Sequence, residues 1–224
     1  VKDLDALLDA LEDKVSVHHD LVTLKGMVAD SLAHTSPWEN IHDKLIIDAT
    51  TAMQNDPIGP VVKEPVGDSL AITVSALDGV VQARMLRPSM MVITTEVQGG
   101  PLPEESMEEE NEQLANLQRQ RISEIIDSIW KLEASKGLRW LFITDIDADL
   151  QDENWKRRLL WQLFCRFDVS RDLHFDESET KVAWDATAPI PSKEGPIPVR
   201  RWPAVTLHDP ELVRTVDEWL SQRL

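Results

Sequence analysis

The stretch Thr144-Asp145-Ile146-Asp147-Ala148-Asp149 holds the densest group of chemistry-bearing side chains in the chain. Three carboxylates directly follow the apolar run Trp140-Leu141-Phe142-Ile143, which reads as a buried strand. Carboxylates at the C-terminal end of a parallel strand stand where α/β folds bind ligands. Asp145 and Asp147 are therefore candidates to hold Mg²⁺ with a phosphate, because hard cations take oxygen ligands. The competing reading makes them solvated turn aspartates, and it is the one favoured here. Other candidates are thinner. His18 and His19 are adjacent, whereas His34, His42, His174 and His208 are scattered, and no His or Cys spacing fits a metal site. Gly99-Gly100 runs into prolines and not into a helix, so it makes no phosphate loop. Cys165 lies among Leu160, Trp161, Leu163 and Phe164, where a buried, inert thiol is expected.

The Asp145–Asp147 spacing is similar to the first motif of haloacid-dehalogenase-type phosphatases. That family keeps its nucleophile near the chain start and needs a lysine and a second acidic pair on later strands. Here 144 residues precede Asp145 and less than one further α/β unit follows.

Bulk properties narrow the partners. A net charge of −17 and a pI near 4.7 exclude nucleic acid and anionic membrane as main partners. The short basic clusters Lys156-Arg157-Arg158 and Arg200-Arg201 read as solvated surface. No apolar stretch approaches the roughly 18 residues of a membrane span. No signal peptide opens the chain, and a single cysteine fits a reducing compartment, so a cytoplasmic location is expected.

The elements that must position these residues follow from periodicity. Leu4, Leu7, Leu8 and Leu11 mark a helix, with Asp3 as its N-cap. Leu21–Leu24 is a short apolar run, and Lys44–Thr50 has a buried-strand pattern. Residues 54–68 read as a linker. Residues 70–97 read as β structure, with a hairpin signal at Asp78-Gly79 and a strand from Met90 to Val97. The acidic stretch 99–113 reads as a loop. Ile122, Ile125, Ile126, Ile129 and Trp130 predict a helix closed by Gly137. Another helix spans about 153–166, and the last opens with Asp209, Pro210 and Glu211.

The chain also repeats itself. With no gap, Leu7, Leu8, Leu11, Val17, Asp20 and Leu21 fall on Leu159, Leu160, Leu163, Val169, Asp172 and Leu173. Downstream, Lys44 to Asp48-Ala49-Thr50 pairs with Lys181 to Asp185-Ala186-Thr187. Shared leucines are common to all amphipathic helices; a repeated Asp-Ala-Thr behind a lysine is not. The expected fold is thus α/β: duplicated units with a mainly parallel sheet, a β-hairpin-containing insert around 70–97, and an N-terminal unit lacking its first strand. The expected organisation is residues 1–60 as a first, incomplete repeat, 61–100 as a β-rich connection, 101–113 as an acidic loop, and 114–224 as the complete repeat with a C-terminal helix.

In the second copy, Leu141 to Asp147 is followed by Leu159-Leu160-Trp161, Arg166-Phe167-Asp168-Val169-Ser170-Arg171-Asp172, Lys181 to Thr187, Glu194-Gly195 and Arg200-Arg201-Trp202-Pro203. In that order these pieces resemble the C-terminal domain of UbiD-type decarboxylases. In the first copy, Asp30 to Pro37 and Asp43-Lys44 to Thr50 resemble the same stretch. Val169-Ser170 departs from the family's Pro-x, and Asp43 and Thr180 stand where the family has serine. The resemblance implies part of a non-oxidative decarboxylase of aromatic or α,β-unsaturated acids, serving assembly and covering the active site. It implies a prenylated flavin (prenylated FMN) and a divalent metal held by an N-terminal region, so no catalytic, cofactor-binding or metal residue is assigned in this chain. Its expected partner is a second copy or that N-terminal catalytic domain. Two other readings are a non-catalytic oligomerisation or regulatory domain, and the Mg²⁺-dependent phosphohydrolase using Asp145 and Asp147.

Overall fold

A computed structural model describes residues 4–28, 41–50, 66–67, 69–96, 108–146, 148–193, 198–199 and 210–221. The elements run α1 (Leu4–Lys14), β1 (Leu21–Val28), β2 (Ile41–Ile47), α2 (Ser69–Ser75), β3 (Val80–Arg87), β4 (Met90–Thr95), α3 (Glu108–Trp130), β5 (Trp140–Asp145), α4 (Trp155–Cys165), α5 (Val169–Asp172), β6 (Leu173–Phe175), β7 (Val182–Asp185) and α6 (Pro210–Ser221).

Five strands form one sheet in the order β3-β4-β5-β7-β6. The central strands β4, β5 and β7 are parallel, while β3 and β6 add antiparallel at the edges. Period-2 alternation splits the central strands between two cores. Met90, Val92, Trp140, Phe142, Val182 and Trp184 face one side, where Leu4, Leu8 and Leu11 of α1 and Trp155, Leu159 and Leu163 of α4 cover them. Met91, Ile93, Leu141, Ile143 and Ala183 face the other, under Leu70 and Val74 of α2 and the isoleucine stripe of α3. The product is an α/β/α sandwich whose central strands are buried on both faces, as parallel strands generally are.

The repeat is visible as bonding. Leu21, Val22 and Thr23 pair with Ile47, Ile46 and Leu45. Their counterparts Leu173, His174 and Phe175 pair in the same antiparallel register with Trp184, Ala183 and Val182. The Ser16 N–H donates to Asp20 Oδ2 at 2.7 Å, and the Asp168 N–H donates to Asp172 Oδ2 at 2.7 Å. The Thr50 N–H donates to Asp48 Oδ1 and the Thr187 N–H to Asp185 Oδ1, each at 2.9 Å. In both halves a helix, a carboxylate-stapled turn and a two-stranded ribbon follow in one order. The halves differ in setting: β7 also pairs with β5 and is buried, whereas β1 and β2 form a separate two-stranded sheet with one half-exposed face. Lys44–Thr50 therefore does not end in a core strand, contrary to its apolar pattern.

Four further expectations are corrected. Residues 69–75 are helical, because Leu70 and Val74, one turn apart, both bury completely against the sheet. Asp78-Gly79 joins α2 to β3 and not two strands; the β3–β4 connection is Pro88-Ser89. Gly79 is nonetheless required, with φ of +83° and Arg121 at 3.0 Å from where a Cβ would lie. The acidic stretch is helical from Glu108 onward, since buried Asn111, Ala115 and Gln118 extend the stripe of α3 toward its N-terminus. Acidic side chains there oppose the helix dipole favourably. Finally, α3 stops at Trp130, and a short 3₁₀ turn over Glu133–Ser135 precedes Gly137, which does not adopt a left-handed φ. The Ser135 hydroxyl donates to the Leu132 carbonyl at 2.8 Å in that turn.

Asp3, residues 51–65, Asp209 and the segments around Asp30–Pro37, Glu194-Gly195 and Arg200–Pro203 lie outside the described residues. No described helix is long and apolar enough to cross a membrane.

Candidate functional site at the ends of the parallel strands

The C-terminal ends of β4, β5 and β7 meet α4, α5 and the segment after β7, and here the motif residues converge. Asp145 closes β5 and is buried. Arg166, the C-cap residue of α4, points its Nη1 at both Asp145 oxygens, at 2.7 and 2.8 Å. The Ala188 N–H adds a third bond to Oδ2 at 3.1 Å. A carboxylate with both oxygens on a guanidinium is positioned to lock β5, α4 and the chain after β7 together; it is not presented to a metal or to an electrophile. This corrects both readings of Asp145, which is buried and not a solvated turn aspartate, and is bound to Arg166 and not free for Mg²⁺. Asp147 lies outside the described residues, and among those described no three His, Cys, Asp or Glu side chains converge on a metal position.

A second lock adjoins it. Arg171 Nε and Nη2 each donate to Asp172 at 2.6 Å, a bidentate pair between sequence neighbours that are both buried. Asp168 caps the short α5 through the Ser170 N–H at 3.0 Å. Asp185 accepts from both the N–H and the hydroxyl of Thr187, at 2.9 and 2.7 Å. Desolvation pushes Asp172 and Asp185 each up to about 6; Asp185 raises Asp172 further and Asp145 raises Asp185, while Arg171 pulls against both shifts. His174, half-buried beside them, is lowered by desolvation, with Asp172 opposing. Arg171, Asp172, His174, Asp185, Thr187 and Gln118 line a cavity of about 140 Å³. Gln118 seals one side, donating to the Ala188 carbonyl at 2.9 Å and accepting from the Ile190 N–H at 3.2 Å.

The aspartates of both Asp-Ala-Thr segments thus hold backbone of the following turn, as their strand-end position predicts. His18 stacks edge-on against His19 and approaches Glu179 at 3.6 Å, and His42 lies 3.9 Å from buried Asp168. The His18–His19 pair stays apart from the strand-end cluster, while His42 borders it at Asp168. His34 and His208 fall outside the described residues. Cys165 is on the outer face of α4 and exposed, not buried; the apolar residues beside it, Trp161 and Phe164, are exposed as well. Desolvation still raises the thiol pKa, Arg166 opposing, which leaves little thiolate.

Lys156-Arg157-Arg158 is not uniform surface. Lys156 bonds Asp5 of α1 at 2.5 Å, tying the two helices. Arg157 and Arg158 border an open cleft of about 760 Å³ with Asp149, Trp161, Gln162 and Arg166. Arg166 and Arg171 belong to the stretch that carries the UbiD resemblance, whereas no motif marks Gln118 or Gln162. A signal existed for each glutamine: a polar residue inside an apolar helical stripe, Gln118 four before Ile122 and Gln162 three after Leu159.

The described residues do not fit the prenylated flavin and divalent metal that the resemblance implies. The strand-end carboxylates Asp145 and Asp172 are already held by arginines, and no acidic cluster is placed to bridge a phosphate through a metal.

No protein-family model matches the chain. Among solved structures, it is similar to vanillic acid decarboxylase of Sedimentibacter hydroxybenzoicus in closed form, at 14% identity and a TM-score of 0.42, over 68% of this chain and 30% of that one. The open form with truncated ShVdcD gives 16% identity and a TM-score of 0.40, over 69% of this chain and 32% of that one. An evolved dimeric form of the UbiD-class enzyme HmfF from Pelotomaculum thermopropionicum, in complex with prFMN, gives 15% identity and a TM-score of 0.38, over 67% and 29%. The chain spans about a third of the length of the solved structures it matches.

Proposed function

We propose that this chain is the C-terminal, assembly and active-site-covering part of a UbiD-like non-oxidative decarboxylase of aromatic or α,β-unsaturated acids, and that it is not catalytic by itself. One observation carries the reading. The separate pieces that resemble the UbiD C-terminal pattern are bonded to one another: Arg166 of one donates to Asp145 of another, and the Lys181–Thr187 piece pairs alongside Leu141–Ile143, its Ala186 N–H donating to the Ile143 carbonyl at 2.8 Å. A chance string of family-like motifs has no reason to close into one hydrogen-bonded cluster. The cluster's chemistry also suits the role, because each carboxylate is spent on fixing strand ends, which makes a rigid wall and not a reacting centre. The prenylated flavin and its divalent metal belong, on this reading, to an N-terminal catalytic region that partners this chain, and the protein acts in the cytoplasm.

Two measurements test it. The gene's reading frame upstream of Val1 should encode a flavin-binding region of a few hundred residues; a stop codon there would leave only the non-catalytic oligomerisation reading. The purified chain should show no flavin absorbance and release no CO₂ from cinnamate-like or hydroxybenzoate-like acids. A yellow sample, or turnover by the chain unaided, overturns the assignment of catalysis elsewhere.

A further inference from the structure

The cleft beside α4 has a composition that the strand-end cluster does not explain. Its volume, about 760 Å³, falls within the range of small-molecule sites, roughly 300–1,000 Å³. In a chain of net charge −17 it gathers three guanidiniums, those of Arg157, Arg158 and Arg166. Arg166 is committed to Asp145, and Arg158 reaches Asp152 at 3.4 Å. Arg157 makes no ion pair among the described residues.

Two features point to more than a bare anion. The Trp161 ring is half exposed at the cleft, with Arg166 stacked at 5.2 Å from its centroid, so an indole surface remains for a second flat group. Gln162 lines the same cleft with only 2% of its surface exposed, and its Oε1 is buried without a hydrogen-bond partner among the described residues. An unmade bond at a buried amide oxygen is costly, so a donor supplied by a ligand would recover that loss.

The helix sets the spacing. Arg157 and Trp161, like Arg158 and Gln162, are four residues apart, which places cation and ring about one helical turn, ~5.4 Å, from each other along one face. Asp149 lines the cleft as well, and hydrogen bonds from the Gln151 N–H and Gln82 hold its carboxylate below the usual range. An ionised acceptor there suits neutral hydroxyl donors and repels anions. The ligand therefore needs a flat ring with an exocyclic donor, hydroxyls, and an anionic group about one helical turn from the ring.

We propose that this cleft binds a purine mononucleotide, with the base on Trp161, its exocyclic amine on Gln162 Oε1, the ribose hydroxyls toward Asp149 and the phosphate at Arg157. Binding here is independent of whether the chain serves a decarboxylase.

Titration calorimetry of the full chain with AMP, adenosine and inorganic phosphate tests it. AMP is expected to bind saturably at one site, with adenosine and phosphate each at least about tenfold weaker. Arg157→Gln, at an exposed position, should lower AMP affinity about tenfold and leave adenosine unchanged; Trp161→Leu should weaken both. Thermal melts confirm that each variant is folded. The proposal is overturned if AMP gives no saturable heat up to about 10 mM, if phosphate alone binds as tightly as AMP, or if folded Arg157→Gln and Trp161→Leu bind AMP like the parent chain.

Discussion

Asp145 shows how one residue's role turns on its partner. A carboxylate after a parallel strand can ligate a metal, attack an electrophile or hold structure, and Arg166 selects the last. Removing one member of a buried pair strands the other, so Asp145→Ala should cost about 3–5 kcal/mol, read as a lower urea midpoint. A phosphatase role would instead predict a stable, inactive variant. Asp172 and Asp185 make a different forecast, in pH. Both native pKa values, about 6, lie above the roughly 3.9 of an unfolded aspartate, so the native state binds protons more tightly. Their contribution to stability is full below about pH 4, declines as pH rises to about 6, and is flat above. The depressed aspartates, such as Asp48 and Asp176, act in the opposite sense and below that window. Asp185→Asn keeps an acceptor for Thr187 and should reduce the decline between pH 4 and 6 by about 2 kcal/mol. Melting profiles that run parallel for the two proteins across this range would count against a raised Asp185.

At the scale of elements, one arginine bridges the two repeats. Arg139, just before β5, donates to the Glu12 and Val15 carbonyls of the first unit at 2.8 and 2.9 Å and to Ser89 Oγ at 3.0 Å. Glu12 is buried and accepts from the same serine at 2.5 Å. Arg139→Ala should therefore loosen the end of α1 from the sheet and lower stability by about 3 kcal/mol, with amide exchange accelerated in α1 before the central strands. Exchange rising evenly through the chain would deny Arg139 this local role. Gly79→Ala should cost about 1–2 kcal/mol through a left-handed turn and the close approach of Arg121, whereas Gly26, also left-handed but with open space around it, should cost less.

At the scale of the molecule, two apolar surfaces stay exposed among the described residues. One is the stripe Leu212, Val213, Val216 and Leu220 on α6, and the other is the β1–β2 ribbon with Val22, Val28 and Ile46. Such stripes favour burial in an interface. The chain should sediment as more than a 25.4 kDa monomer at micromolar concentration. Its charge of −17 opposes association only at low salt, since the Debye length is about 8 Å at physiological ionic strength. Val216→Glu with Leu220→Glu should shift the species toward monomer. A sharp, concentration-independent monomer from the parent chain would exclude self-association and leave a different partner to cover these faces.

The sequence by itself determined the α/β class, the helix faces of α1, α3 and α4, and the duplication, because these rest on short-range periodicity and on pairs of identical motifs. It also contained every member of the strand-end cluster. What it did not contain was their pairing. Asp145 meets Arg166, and Arg139 meets Glu12, only when distant segments are brought together, and local pattern carries no record of that distance. The same limit explains the misread elements. Ser69–Ser75 and Lys44–Thr50 carry β-branched residues that suit either a strand or a helix, buried or half-exposed. Packing chose between them: α2 found a sheet face on which Leu70 and Val74 could both bury, and β2 found only β1 to pair with among the described strands.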